Sequence, residues 1–369
     1  MKYTTPVLKK DQPDDTYKFQ PLPPPSGKYP YRLSLEHVQP IISNQQLVFH
    51  LVGDTGGRLN PSFQRLVSEE MSRQYKNCAK PEEQPQFLYH LGDIVYHHGE
   101  TEQYAKQFFE PYKNYPGPIF AIAGNHDSDV NPDNPVPYKS LVPFTTVFCD
   151  TISRPVSFSG HSKRSSMVQP NVYWTLETPL ATIIGMHSNV PKFGVVTEEQ
   201  RAWFVEELKA ANLLRKEKAL IVCIHHAPYS ADINHGSSLP MISLLEGVFE
   251  ETGIRPDLVL SGHVHNYQRF NKKYEDGKSL TYIVCGSGGF DELHDIADVD
   301  DERFTNESPI FKDVELQRSF TKKHGFLKLS VQKEEKGLHI TGNYYVIPHD
   351  AQTEDMPVAS LSDQFIIEL

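Results

Sequence analysis

Six side chains able to bind metal ions stand just after five short apolar runs: Asp54 in FHLVGDTGG, Asp93 in LYHLGDIVY, Asn125 in FAIAGNHD, His225 in LIVCIHHAP, and His263 and His265 in LVLSGHVH. Carboxylates, an amide and imidazoles form a mixed oxygen and nitrogen donor set, which suits two hard-to-borderline metal ions. Two ions about 3.5–4 Å apart can bind a phosphoryl oxygen, activate a water and stabilise a leaving oxygen. Taken singly, each motif is weak, because Gly-Asp and Gly-Asn are ordinary turn dipeptides. Their recurrence in order, each closing an apolar run, is what points to one site. In HHAP either His225 or His226 can be the ligand; His225 follows the strand directly, and His226 would then line the pocket.

For the six to meet, the runs that carry them must be neighbouring strands, since open α/β sheets place ligands at the carboxyl ends of their strands. LVFHLV precedes a helix predicted over 61–75, with Pro61 suited to its first turn. FLYHL precedes an amphipathic stretch from Thr101 to Tyr112, and IFAIA follows. The clearest helix runs from Thr197 to Arg215; its TEEQ start is a capping box, with the Thr oxygen and the Gln side chain both serving free backbone N–H groups. ALIVCI, a helix around Met241 to Glu250, DLVL, LTYIVC, GFLKLS and LHITGNYYVI complete the rhythm. The pattern predicts a layered α/β sandwich with a strand-rich second half.

At 369 residues the chain is long enough for one large domain with additions. Residues 1–46, with PLPPPSGKYP at their centre, read as a proline-rich N-terminal arm, and 47–369 as the domain proper. A long insertion at 127–170 carries the basic knot HSKRSS and suits a functional or mobile loop. The acidic run 291–309 reads as a solvated loop. A net charge of −11 argues against nucleic-acid binding, which needs a clustered basic surface. The four cysteines form no C-x-x-C pair, and Cys223 and Cys285 fall in apolar runs as buried thiols. No stretch is long and apolar enough for a membrane span and none follows the N-terminal lysines, so a cytoplasmic protein is expected, or a secreted one if a signal was removed. No membrane partner is expected and no protein partner is identifiable.

The ordered set GDTG, GDIVY, GNHD, VCIH and GHVH, over residues 47–270, resembles the calcineurin-like metallophosphoesterases, and in detail their purple acid phosphatase branch. The resemblance implies a layered αββα sandwich of two mixed β-sheets flanked by helices. Many members of that superfamily carry Asp-x-His in the first motif; here DTG lacks the His, and Tyr96 is the compensating ligand that the branch implies. Asp54, Asp93, Tyr96 and His265 would hold the first metal, and Asp93, Asn125, His225 and His263 the second, with Asp93 bridging. A phenolate and carboxylates favour a trivalent ion, so iron(III) paired with divalent iron, zinc or manganese is expected.

His126 is placed to protonate the leaving group and Asp127 to fix its tautomer, and the resemblance implies that His235 lines the substrate pocket. Arg269 resembles a basic position that steadies the fold or touches phosphate. GSGG lacks the rest of a P-loop, so it is no nucleotide cradle. The implied activity is hydrolysis of small phosphomonoesters by attack of metal-bound hydroxide at acidic pH. A phosphodiesterase or nucleotide pyrophosphatase on the same scaffold is the alternative, and a non-catalytic scaffold protein the third reading.

Overall fold

The computed structural model describes residues 1–59, 61–348 and 358–369. Its strands are β1 (Leu8–Lys9), β2 (Arg32–Ser34), β3 (Gln46–Val52), β4 (Leu88–His90), β5 (Ile119–Ala121), β6 (Trp174–Glu177), β7 (Ala181–Met186), β8 (Ala219–Ile224), β9 (Leu258–Ser261), β10 (Tyr267–Lys273), β11 (Ser279–Cys285), β12 (Phe304–Thr305), β13 (Val314–Phe320), β14 (Gly325–Glu334), β15 (Gly337–Val346) and β16 (Ser360–Glu368). The α-helices are α1 (Ser62–Lys76), α2 (Thr101–Tyr104), α3 (Asn125–Ser128), α4 (Val142–Phe148), α5 (Glu198–Asn212) and α6 (Leu239–Thr252).

Two mixed sheets form the layers. One runs in the order β16-β15-β14-β3-β4-β5 and the other β13-β10-β11-β9-β8-β7-β6-β2. β3, β4 and β5 are parallel, as are β7, β8 and β9. Parallel strands covered on both faces read as unbroken apolar runs, and β7 and β8 are buried at every position. β15 is antiparallel to its neighbours and alternates buried with half-buried residues, as a strand with one wet face should. The sheets share one core: Tyr89 of β4 stacks on Trp174 of β6 at 6.1 Å, and Phe120 of β5 approaches the same indole at 5.6 Å. The layered α/β sandwich expected from the sequence is the architecture observed.

Local departures have physical causes. The Thr197 hydroxyl caps α5 by accepting from Gln200 N at 3.2 Å, but the Gln200 side chain does not close the box. It is buried, and instead satisfies both backbone groups of His187 at 2.8 Å each. The stretch from Thr101 onward is α-helical only to Tyr104 and then widens into a π turn over Ala105–Phe109, which turns Gln107 inward. The insertion at 127–170 contains α4 and is pinned by Arg164, whose guanidinium donates to the carbonyls of Tyr112, Tyr115 and Gly117. The acidic run 291–309 is not the solvated loop expected: Ile296, Ala297 and Phe304 are buried, and β12 within it pairs with β1. The four cysteines are free.

The proline-rich arm lies along the domain. β2 extends the eight-stranded sheet beyond β6, Trp203 Nε1 donates to the Pro30 carbonyl at 2.7 Å, and Arg32 grips Glu207 through three contacts of 2.7–3.1 Å. Glu207 is only 2% exposed while Arg32 is 41% exposed, so the pair lies between a surface and a buried ion pair. Arg32→Ala leaves the buried Glu207 carboxylate with the Thr175 hydroxyl at 2.7 Å in place of a guanidinium, and is expected to cost about 1–2 kcal/mol, read as a fall of about 1–3 °C in Tm by calorimetry. An unchanged Tm would mean that the arm does not hold the domain through this contact.

Candidate metal centre

The three parallel strands β3, β4 and β5 end side by side in one sheet, and β8 and β9 adjoin in the other. Each hands the chain to a turn bearing one or more of the predicted donors. These turns are tight. Gly92 has φ +98°, and a Cβ there would stand 2.6 Å from His225 Nδ1; a Cβ on Gly124 would stand 2.1 Å from Asp93 Oδ1. Only glycine lets the GD and GNH turns approach so closely. Asp54, Asp93 and His263 themselves have φ of +57°, +53° and +66°. Non-glycine residues held there cost on the order of 1–3 kcal/mol each and persist where the surroundings over-determine them; Asp and His are among the types that tolerate the region. Here the surroundings include Asp54 N bonded to Gly92 O at 3.0 Å and His263 N bonded to Asp54 Oδ2 at 2.9 Å.

The seven predicted donors come together in two adjoining groups. In the first, Tyr96 Oη lies 3.3 Å from both Asp54 Oδ1 and His265 Nε2, and His265 Nε2 is 3.7 Å from Asp54 Oδ1. In the second, Asn125 Oδ1 lies 3.1 Å from His225 Nε2 and 2.9 Å from His263 Nδ1, and Asp93 Oδ2 is 3.4 Å from His225 Nε2. Tyr96 is fixed at both ends of its peptide by the Gln107 side chain, at 2.9 Å each, and Phe290 stacks on its ring at 4.0 Å. The Gly-rich turn after β11 closes the floor, with Phe290 N bonded to Asp54 O at 3.1 Å.

The donor chemistry fits cations. The Nδ1–H of His225 donates to the Leu91 carbonyl at 2.8 Å and that of His265 to the Glu292 carbonyl at 3.0 Å, so each presents Nε2 to the cluster. Anchoring the far N–H on a carbonyl is how metal-ligating histidines are oriented. His263 Nε2 is buried and unpartnered. Burial, then neighbouring imidazoles, depresses His263 and His265 well below the usual range, keeping them neutral as ligands must be. Burial opposes ionisation of Asp93, but His225 and His126 outweigh it and hold that carboxyl low. Burial also works against His225, yet the Asp93 and Asp54 carboxylates lift it to about 9. Such an attraction for positive charge is what a cation would exploit.

The adjacent histidines differ in position. His225 enters the cluster, whereas His226 packs behind it, its ring 4.2 Å from His263 and its Nδ1 2.7 Å from Ser188 Oγ. His235 rests on His263 with ring centroids 4.2 Å apart. His126 is half-buried at the edge of the cluster, its ring 4.4 Å from Tyr96. Asp127 does not set its tautomer. The Asp127 carboxylate is taken up by the backbone N–H groups of Ile94, Val95 and Gly124, and burial together with Asp93 raises its pKa. The His126 ring instead donates from Nδ1 to the His97 carbonyl at 2.7 Å. Arg269 serves the fold, bonding Asp363 of β16 at 2.7 and 3.1 Å.

The sequence reading missed His97, Gln107, Phe290 and His294, the last stacked on His265 at 4.5 Å. The HH pair directly after Tyr96 was a signal for the first. The others act through a backbone contact or a ring face, which residue type alone does not announce.

Residues 47–267 match the family model described as calcineurin-like phosphoesterase. Curated relatives include purple acid phosphatase 1 of Ipomoea batatas, 27% identical over 66% of this chain and 50% of its own length. They also include the Fe(3+)-Zn(2+) purple acid phosphatase 12 of Arabidopsis thaliana, 27% identical over 47% of this chain and 37% of its own. The chain thus spans half the length, or less, of these two relatives. Among solved structures, the Plasmodium protein GAP50, described as the anchor in the inner membrane complex, superposes with a TM-score of 0.55 at 15% identity over 88% of this chain and 89% of that one. PhoD superposes at 0.50, with 14% identity over 94% and 71%. These two likenesses concern the fold. With its ordered motifs, its sandwich and a family match over more than half its length, the chain belongs to the calcineurin-like phosphoesterase family.

Proposed function

We propose that this chain is a metal-dependent phosphatase that hydrolyses small phosphomonoesters at acidic pH through a dinuclear centre. The observation that carries the reading is the pair of donor groups, Asp54, Tyr96 and His265 beside Asn125, His225 and His263, with Asp93 between them. Similarity to the purple acid phosphatases, one of them named for Fe(3+) and Zn(2+), supports iron(III) in the group that contains the phenol. A divalent iron, zinc or manganese ion suits the other. When bound, the two ions supply Lewis acidity toward phosphoryl oxygens and make a water acidic enough to serve as nucleophile, more so where one ion is trivalent.

The chain's own residues do the rest. His126, held by the His97 carbonyl, keeps Nε2 free to protonate the leaving oxygen. With Nδ1–H committed to that carbonyl, only the doubly protonated ring can donate from Nε2. His235, over His263, orients the phosphoryl group by donating a hydrogen bond.

The test is the initial rate on p-nitrophenyl phosphate against bis-p-nitrophenyl phosphate from acidic to alkaline pH, on metal-analysed protein. The expected result is monoester preference at acidic pH, with a visible tyrosinate absorption band. Diester preference would move the function to phosphodiester cleavage. An alkaline optimum without the band would remove the iron, and silence on both substrates would favour a scaffold.

A further inference from the structure

A second group of donors stands next to the first. Asp232, His235 and His294 each offer a ligand atom, all within 4.8 Å of one another. Asp232 is fully buried, and its carboxylate meets no lysine or arginine ion pair among the described residues. Its Oδ1 accepts from the backbone N–H groups of Asn234 and His235, both at 2.8 Å, and its Oδ2 accepts from Asn266 Nδ2 at 3.2 Å. Oδ2 also lies 3.4 Å from His294 Nδ1. The Nδ1 atoms of His235 and His294 are both closed off from solvent, and neither makes a hydrogen bond. Buried polar atoms are paired as a rule, so two orphaned imidazole nitrogens in a cluster that holds a buried carboxylate call for a missing partner.

We propose that Asp232, His235 and His294 bind a third cation, a borderline divalent ion such as zinc. Two imidazoles and one carboxylate are a recurrent donor set for such ions. Zinc takes these ligands at about 2.0–2.2 Å, which brings tetrahedral donors to about 3.4 Å from one another. Closing in from separations of up to 4.8 Å asks for side-chain shifts on the order of 1 Å. Asp232 is already fixed by its backbone donors, and His294 by its stack on His265 and by its N–H bonded to the His265 carbonyl at 3.1 Å.

The placement gives the ion a use. A cation on His235 Nδ1 leaves the ring proton on Nε2, and ligation makes that N–H a fixed donor. Neutral imidazole is otherwise free to carry its proton on either nitrogen. The third ion therefore sets the tautomer that lets His235 donate to the phosphoryl group, a consequence that rests on the proposed function. The binding of the ion itself does not.

Iron-loaded protein is titrated with zinc, passed through a desalting column, and its iron and zinc counted by mass spectrometry, for wild type, Asp232→Asn and His294→Gln. Wild type is expected to retain three ions per chain and each variant two, with zinc affinity at the lost site down by about 100-fold or more. The tyrosinate band should remain in all three, since neither variant touches Tyr96. Two ions in wild type, or three retained in both variants, overturns the proposal. If the dinuclear reading fails, the band is absent from every protein, but the loss of one zinc between wild type and variants still decides this site. Should Asp232→Asn fail to fold, His294→Gln gives the answer alone.

Discussion

Asn125→Ala lowers kcat/KM of the metal-loaded protein by about 10³-fold or more, with circular dichroism and Tm close to wild type. The size follows from what an ion held by the second group would supply, several kcal/mol of transition-state charge stabilisation, at 1.36 kcal/mol per tenfold in rate. Asn125 is the side chain that ties that group together, since its single oxygen lies within 3.1 Å of two imidazoles that follow different strands. It is half-buried at the start of a one-turn helix, so its removal costs little packing. His263→Ala should be as damaging to turnover but is the less clean test. Its backbone sits at φ +66°, where alanine is strained, so part of its effect would come from the turn. Metal analysis with the rate assay checks both. Turnover unchanged in Asn125→Ala would remove the second group from the catalytic site.

The core of this picture was legible because two kinds of signal coincided. Buried parallel strands write themselves as apolar runs such as ALIVCI, and each run ended on a residue type with no business in a core. Where one signal stood alone the reading faltered. β2 and β12 are too short to show a period, and both gain their pairing partners from far along the chain, β6 and β1. The acidic residues of 291–309 outnumber the few apolar ones that anchor it, so its composition spoke for solvent while Ile296 and Phe304 went inside.

The site shows the same division. The donors were legible through residue type, but their orientation comes from backbone carbonyls: Leu91 for His225, Glu292 for His265, His97 for His126. A carbonyl is present at every residue and leaves no mark in the sequence. Asp127 illustrates the cost of reasoning from adjacency. Next to His126 in sequence, it turns back to Gly124 N at 2.9 Å because a carboxylate three residues into a helical turn is well placed to serve the free N–H at its start.

The role given to His126 has a sharper consequence than loss of activity. His126→Ala should reduce kcat by about 10²–10⁴-fold on an alkyl phosphate, the usual worth of a positioned acid, and by only about 10-fold or less on p-nitrophenyl phosphate. The difference arises because an alkoxide must be protonated as the bond to phosphorus breaks, whereas p-nitrophenolate is stable enough to leave without a proton. The ring is held for that task by its 2.7 Å bond to the His97 carbonyl and by contact with the face of Tyr96 at 4.4 Å. The hydrogen bond engages Nδ1, so Nε2 is the nitrogen left for the leaving oxygen. Measuring both substrates as a function of pH separates the possibilities. A leaving-group-dependent loss that also flattens the alkaline limb for the alkyl ester assigns proton transfer to His126. An equal loss on both substrates would make it a group that positions the phosphoryl moiety, and the proton would have to come from solvent.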